Sequence, residues 1–317
     1  MNLRTALLAM LATTLLGGSA RAQAVDVARF LKERGATQAH VKIAARSPDP
    51  AIVPVMFFDK DGSAPACGLL VAAPHAGKPR FIELTGPDAG EGFPACVAIP
   101  SITPFRLQGR RYLMVEYHHR ETREDTYASF RYLYDAPGQG YLTDAALDGA
   151  GPPEAPAVSD PSPSAARTLA GIKHARAAVM KSTFPQWRFQ ERDFIADNGS
   201  SFAGLVDDKS RACHVVAEAG AAPVAASLAD FAPGLHCAGL LATTRLALPG
   251  ATYYLAMFMT DGGKRLVGIV SVAANGRIAV ERALSSAIDR AHATENINVA
   301  KAALSEQLHR TNGTTSR

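Results

Sequence analysis

The residues best suited to chemistry lie in "VEYHHRETRED", Val115 to Asp125. If this stretch is a strand, side chains alternate and Glu116 and His118 share one face. A carboxylate beside an imidazole can bind a metal or move a proton. The same types also occur where a strand simply ends in a charged, solvated hairpin carrying Arg120, Glu121, Arg123, Glu124 and Asp125. A third use is recognition, because Arg and Tyr are favoured anchors at protein interfaces. Arg106, Arg110, Arg111, Tyr117, His119, Arg120, Arg123 and Tyr127 surround the pair and complete a candidate binding surface with Glu116 and His118.

Other reactive patterns are absent from the chain. No GxSxG, HExxH or Gly-rich phosphate loop occurs. "DKDG", Asp59 to Gly62, opens like a calcium loop but lacks the further carboxylates and distal Glu of such a loop, so it reads as a turn. Asn198 and Asn312 begin glycosylation triplets, which matter only in a eukaryotic secretory route. The single tryptophan, Trp187, reads as a packing residue. No catalytic set, metal or cofactor is assigned.

The elements that hold these residues come from a duplication. "FPACVAIPSITPFRLQGRRYLMVEY" (Phe93 to Tyr117) aligns without gaps with "GLHCAGLLATTRLALPGATYYLAMF" (Gly234 to Phe258). Cys96 meets Cys237, Gly109 meets Gly250, Tyr112 meets Tyr253, and apolar character repeats between them. Upstream, "APAC" ending at Cys67 faces "SRAC" ending at Cys213. Downstream, "YLTDAAL" ending at Leu147 faces "IAVERAL" ending at Leu284. Positions common to both copies hold the fold, and positions polar in one copy alone are candidates for function. Glu116 and His118 are such positions, facing Met257 and Met259.

Each unit reads as short strands separated by turn residues, with Gln-Gly, Pro-Gly and Asn-Gly at hairpin positions. The fold expected is mainly β with flanking helices (α+β): two tandem antiparallel meanders, each with one disulfide, plus a C-terminal helix. The divisions are a signal peptide over 1–24, a first β-rich unit over 25–147 and a Pro/Ala/Ser-rich linker over 148–165. A second β-rich unit with the C-terminal helix then covers 166–310, before a disordered tail over 311–317. A short helix over Asp26 to Glu33 should open the first unit. A helix capped by Ser164, with Leu169, Ile172, Val179 and Met180 toward one side, should open the second. The C-terminal stripe runs from Leu284 to Leu308 with a break near Asn296.

"MNLRTALLAMLATTLLGGSARAQA" has a basic start, an apolar core and small residues for cleavage, the pattern of a secretory signal peptide; the core is too short to span a bilayer. Export to a periplasmic or secreted location makes Cys67, Cys96, Cys213 and Cys237 an even set for two disulfides. The repeat favours Cys67–Cys96 and Cys213–Cys237, while the absence of CxxC disfavours zinc. Net charge is +4, of which Arg4 and Arg21 in the leader supply two. So small a balance excludes long-range steering toward nucleic acid. The leading expectation is a non-enzymatic exported binding protein, of inhibitor or immunity type, acting on a protein partner in the cell envelope. The alternatives are a secreted hydrolase, with or without a metal, using Glu116 and His118, and a cell-envelope scaffold.

Overall fold

The structure, a computed structural model, describes residues 25–39, 45–60, 62, 64–73, 78–85, 95–121, 124–149, 158, 162–188, 194–197, 199–230 and 234–314. The expected signal peptide, most of the 148–165 linker and Arg123 lie outside the described residues.

The described residues form four antiparallel meanders, two per unit. After α1 (Val27–Arg34), sheet I holds β1 (Thr37–Gln38), β2 (Ile52–Phe58), β3 (Ala66–Val71) and β4 (Arg80–Thr85) in that order. Sheet II holds β5 (Ala95–Leu107), β6 (Arg110–Arg120), β7 (Thr126–Ala136) and β8 (Gly140–Thr143), followed by α2 (Ala145–Gly149).

The long helix α3 (Ala165–Thr183) leads into sheet III. There β11 (Ser201–Asp207) pairs with β9 (Trp187–Arg188), β10 (Ile195–Ala196) and β12 (Cys213–Glu218), and β12 with β13 (Val224–Ser227). Sheet IV holds β14 (Cys237–Leu248), β15 (Ala251–Thr260), β16 (Arg265–Ala273) and β17 (Ile278–Val280). Helices α4 (Arg282–Arg290) and α5 (Ile297–Thr314) close the chain, so α5 continues into the stretch expected to be disordered.

The two halves are built alike, as the alignment anticipates. Sheets I and II pack face to face around Met56, Leu69, Ile99, Leu113, Val115 and Leu133. Sheets III and IV do the same around Phe202, Val215, Tyr254, Phe258 and Val270. One disulfide crosses each sandwich: Cys67–Cys96 joins β3 to β5, and Cys213–Cys237 joins β12 to β14. The registers of the two long hairpins correspond at the candidate positions. Ser101 pairs with Glu116 and Ala98 with His118, where Ala242 pairs with Met257 and Gly239 with Met259. Both hairpins carry bulges at these places.

Helices cover the outer faces. Leu31 of α1 packs on Val55, Phe57 and Leu70 of sheet I, with the helix capped by Asp26 and ended by Gly35 at φ 68°. Helices α4 and α5 cover sheet IV through Ile288, Ala300, Leu304 and Leu308, with Asn296 starting α5 by accepting the Val299 N–H.

Helix α3 differs from the expectation of one apolar side. Ile172, Ala175 and Val179 face sheet II, whereas Ala177 and Met180 face sheet III, and Leu169 is exposed. The physical reason is that one helix serves two sheets, so small residues are buried on opposite faces. Gly171 lets α3 approach sheet II, because a Cβ there would strike Met114 and Phe130. No helix among the described residues is long and apolar enough to cross a membrane.

Candidate functional site

Glu116 and His118 do share a face of β6, but it is the face beneath α3. Both side chains are wholly buried. The Glu116 carboxylate accepts from Arg167 Nε at 2.6 Å and Ser101 Oγ at 3.0 Å, and meets His118 Nε2 at 2.9 Å. Arg167 reaches it from the first turn of α3, where its own N–H is held by the Ser164 cap. Burial alone would push the Glu116 carboxyl up. Hydrogen bonds from His118, Arg167 and Ser101, with the Arg167 charge, outweigh that and hold it below the usual carboxylate range.

The cluster exists in one copy only. The positions matching Ser101, Glu116 and His118 hold Ala242, Met257 and Met259. Val299, three residues past its cap like Arg167, completes the apolar counterpart. The four positions thus make a hydrogen-bonded contact in one copy and are apolar in the other. His118 Nδ1 has no hydrogen-bond partner among the described residues. With Nε2 turned to a carboxylate, that nitrogen has the arrangement of a general base, but it is sealed under the helix. Two cavities among the described residues, about 590 Å³ beside α1 and about 330 Å³ near Gly250 and Gly276, are lined by other residues.

The remaining candidates separate into two groups. Arg106, Arg110 and Arg111 flank the β5–β6 turn at one end of sheet II, with Arg106 directly opposite Arg111. His119, Arg120 and Tyr127 lie at the other end, where His119 stacks loosely with Tyr117 and Tyr127 and meets Glu121 at 3.3 Å. The ends of an eleven-residue β6 stand about 34 Å apart at about 3.4 Å per residue. They are two surfaces, not one. Tyr117 packs toward the sandwich core.

A buried pair that the sequence gave no sign of sits between the units. Arg176 of α3, only 1% exposed, pairs with the Glu218 carboxylate of β12, and its Nη2 donates to the Arg106 carbonyl at 3.0 Å. Glu218 also accepts from Ser201 Oγ at 3.3 Å and Gly220 N–H at 2.6 Å. Trp187 is half-buried between the Phe184 and His214 rings, at 4.5 and 4.0 Å. In "DKDG", whose Asp61 lies outside the described residues, the Gly62 N–H donates to the Asp59 carbonyl at 3.0 Å and Arg34 holds the Asp59 carboxylate at 2.6 Å.

No protein-family model matches the chain, and no curated protein matches it. Among solved structures, the catalytic domain of a Coprinopsis cinerea GH62 alpha-L-arabinofuranosidase aligns at 14% identity and TM-score 0.18, covering 77% of this chain and 68% of that one. An alpha-L-arabinofuranosidase from Podospora anserina, in complex with cellotriose, aligns at 13% and 0.20, covering 83% and 69%. An exo-1,5-alpha-L-arabinanase from a bovine ruminal metagenomic library aligns at 9% and 0.19, covering 77% and 98%. TM-scores of this size do not amount to a shared fold.

Proposed function

We propose that this is an exported, disulfide-stabilised, non-enzymatic binding protein of inhibitor or immunity type, engaging a protein partner in the periplasm or outside the cell. The observation that carries the reading is the complete burial of Glu116 and His118 beneath α3, closed by Arg167 and Ser101. The pair best suited to hydrolysis is thereby spent on holding a helix to a sheet. Two disulfides and a helix shared between sandwiches make a stiff scaffold, and turns on such scaffolds carry recognition.

The test is affinity capture from a native envelope fraction, run with wild type and His118→Ala alongside a panel of hydrolase substrates. The binding reading expects one protein recovered in fixed proportion by both forms. Turnover of a substrate by wild type, lost in His118→Ala while the fold persists, would overturn it in favour of a hydrolase.

A further inference from the structure

We propose that the tip of the β5–β6 hairpin, with Arg106, Arg110 and Arg111, takes an acidic, carboxylate-rich segment of a partner protein. This rests on the binding role above and names where and what it binds.

The internal duplication supplies the control. The two hairpins match in register about Gly109 and Gly250, so the counterparts of Arg106, Arg110 and Arg111 are Ala247, Ala251 and Thr252. The same turn is built without charge in one unit and with three guanidinium groups in the other. Folding does not require them. Arg106 and Arg111 face each other across the strands, an arrangement of like charges that costs stability.

These arginines are little used within the fold. The Arg106 guanidinium has no partner among the described residues. Arg110 lies 5.5 Å from the centre of the Tyr134 ring, a contact that orients it without neutralising it. Arg111 stands 3.4 Å from Asp49 and remains 47% exposed, while that carboxylate also accepts from the Tyr141 hydroxyl at 2.9 Å. At the opposite end of sheet II the charges are mixed, since Arg120 is followed by Glu121, Glu124 and Asp125.

The tip is also held still. Gln108 and Gly109 both have positive φ, 49° and 77°, which suits a tight hairpin turn. The Gly109 N–H donates to the Gly220 carbonyl, and Arg176 donates to the Arg106 carbonyl, tying the turn to the second unit. Arg106 and Arg111 share one face of the hairpin and Arg110 takes the other, and each guanidinium fork suits bidentate contact with a carboxylate. Because the arginines lie exposed on both faces of one turn, an extended acidic chain that crosses the turn and meets several fits better than a small enclosed anion.

The experiment uses the mature, disulfide-bonded protein and a fluorescent hexaglutamate peptide at low and physiological salt. Wild type should bind with a salt-dependent anisotropy change, and the triple variant Arg106→Gln, Arg110→Gln, Arg111→Gln should bind about tenfold or more weakly. A charge-matched control, Arg29→Gln, Arg188→Gln, Arg277→Gln, should bind like wild type. Equal loss in the control, full retention in the triple variant, or binding to anionic phosphatidylglycerol vesicles but not the peptide would each overturn the proposal. Envelope capture separates its failure from that of the wider reading: a partner still recovered by the triple variant leaves a binding protein that uses another surface.

Discussion

Arg176 and Glu218 meet in the closed space between the two sandwiches, at positions whose counterparts hold Leu308 and Ala72. Arg176 and Leu308 lie equally far past the caps Ser164 and Asn296, and Glu218 and Ala72 equally far past Cys213 and Cys67. The ion pair therefore belongs to the junction and not to the repeated unit. Through the Arg106 carbonyl it also ties that junction to the arginine-bearing hairpin.

Replacing Arg176 by Leu alone leaves Glu218 buried without its cation, which should cost about 3–5 kcal/mol. The double change Arg176→Leu with Glu218→Ala, restoring the types found at the counterpart positions, should cost much less. A double-mutant cycle by chemical denaturation measures this, and additive losses would show that the two side chains do not act as a pair.

The Glu116 cluster makes a prediction about acid. Its folded carboxyl titrates below the ordinary range, so its stabilisation is complete above the unfolded value, near pH 4, and is lost as pH falls through the folded value. Wild type should lose thermal stability over that acidic window. The quadruple variant Ser101→Ala, Glu116→Met, His118→Met, Arg167→Val should show a shallower loss there. Arg167→Val alone should destabilise by about 2–3 kcal/mol at neutral pH, by removing a charged hydrogen bond from a buried carboxylate. Identical pH profiles for wild type and the quadruple variant would contradict the assignment.

Gly204 is one of the places where sheets III and IV come close. A Cβ there would stand 2.6 Å from Leu240 Cδ1 and 3.0 Å from Ala256 Cβ. Gly204→Ala should lower stability by about 1–3 kcal/mol through overpacking. Thermal denaturation with no loss would be inconsistent with that contact.

Each disulfide closes a local loop, with separations of 29 and 24 residues. Removing either pair by Cys→Ala should cost about 3–4 kcal/mol in the chain-entropy picture. Denaturation of the two double variants checks this, and non-reducing peptide mapping should find no crossed linkage between units.

Much of this fold was legible because its signals are local and repeated. The cysteine pairing followed from two matched loops, and the hairpins followed from Gly109 and Gly250. The cap Ser164 announced α3, and α1 lies within the short helix expected over Asp26 to Glu33 and its next residue. The fate of Glu116 and His118 was not legible, because what buries them arrives with Arg167, far along the chain beyond a Pro-rich stretch. The two faces of α3 were hidden for a related reason: alanines and Gly171 show little contrast between buried and exposed sides. Arg106 and Arg120 looked like one basic surface in the sequence, but an extended strand carries its two ends far apart.

The central claim, recognition without catalysis, is tested most directly by quantitative affinity capture from the native envelope with the mature protein and its Arg106→Gln, Arg110→Gln, Arg111→Gln variant. The account predicts a partner protein recovered in fixed proportion by wild type and strongly depleted with the variant, both baits being equally folded. Recovery of no partner by wild type, under conditions that keep both disulfides intact, would contradict it.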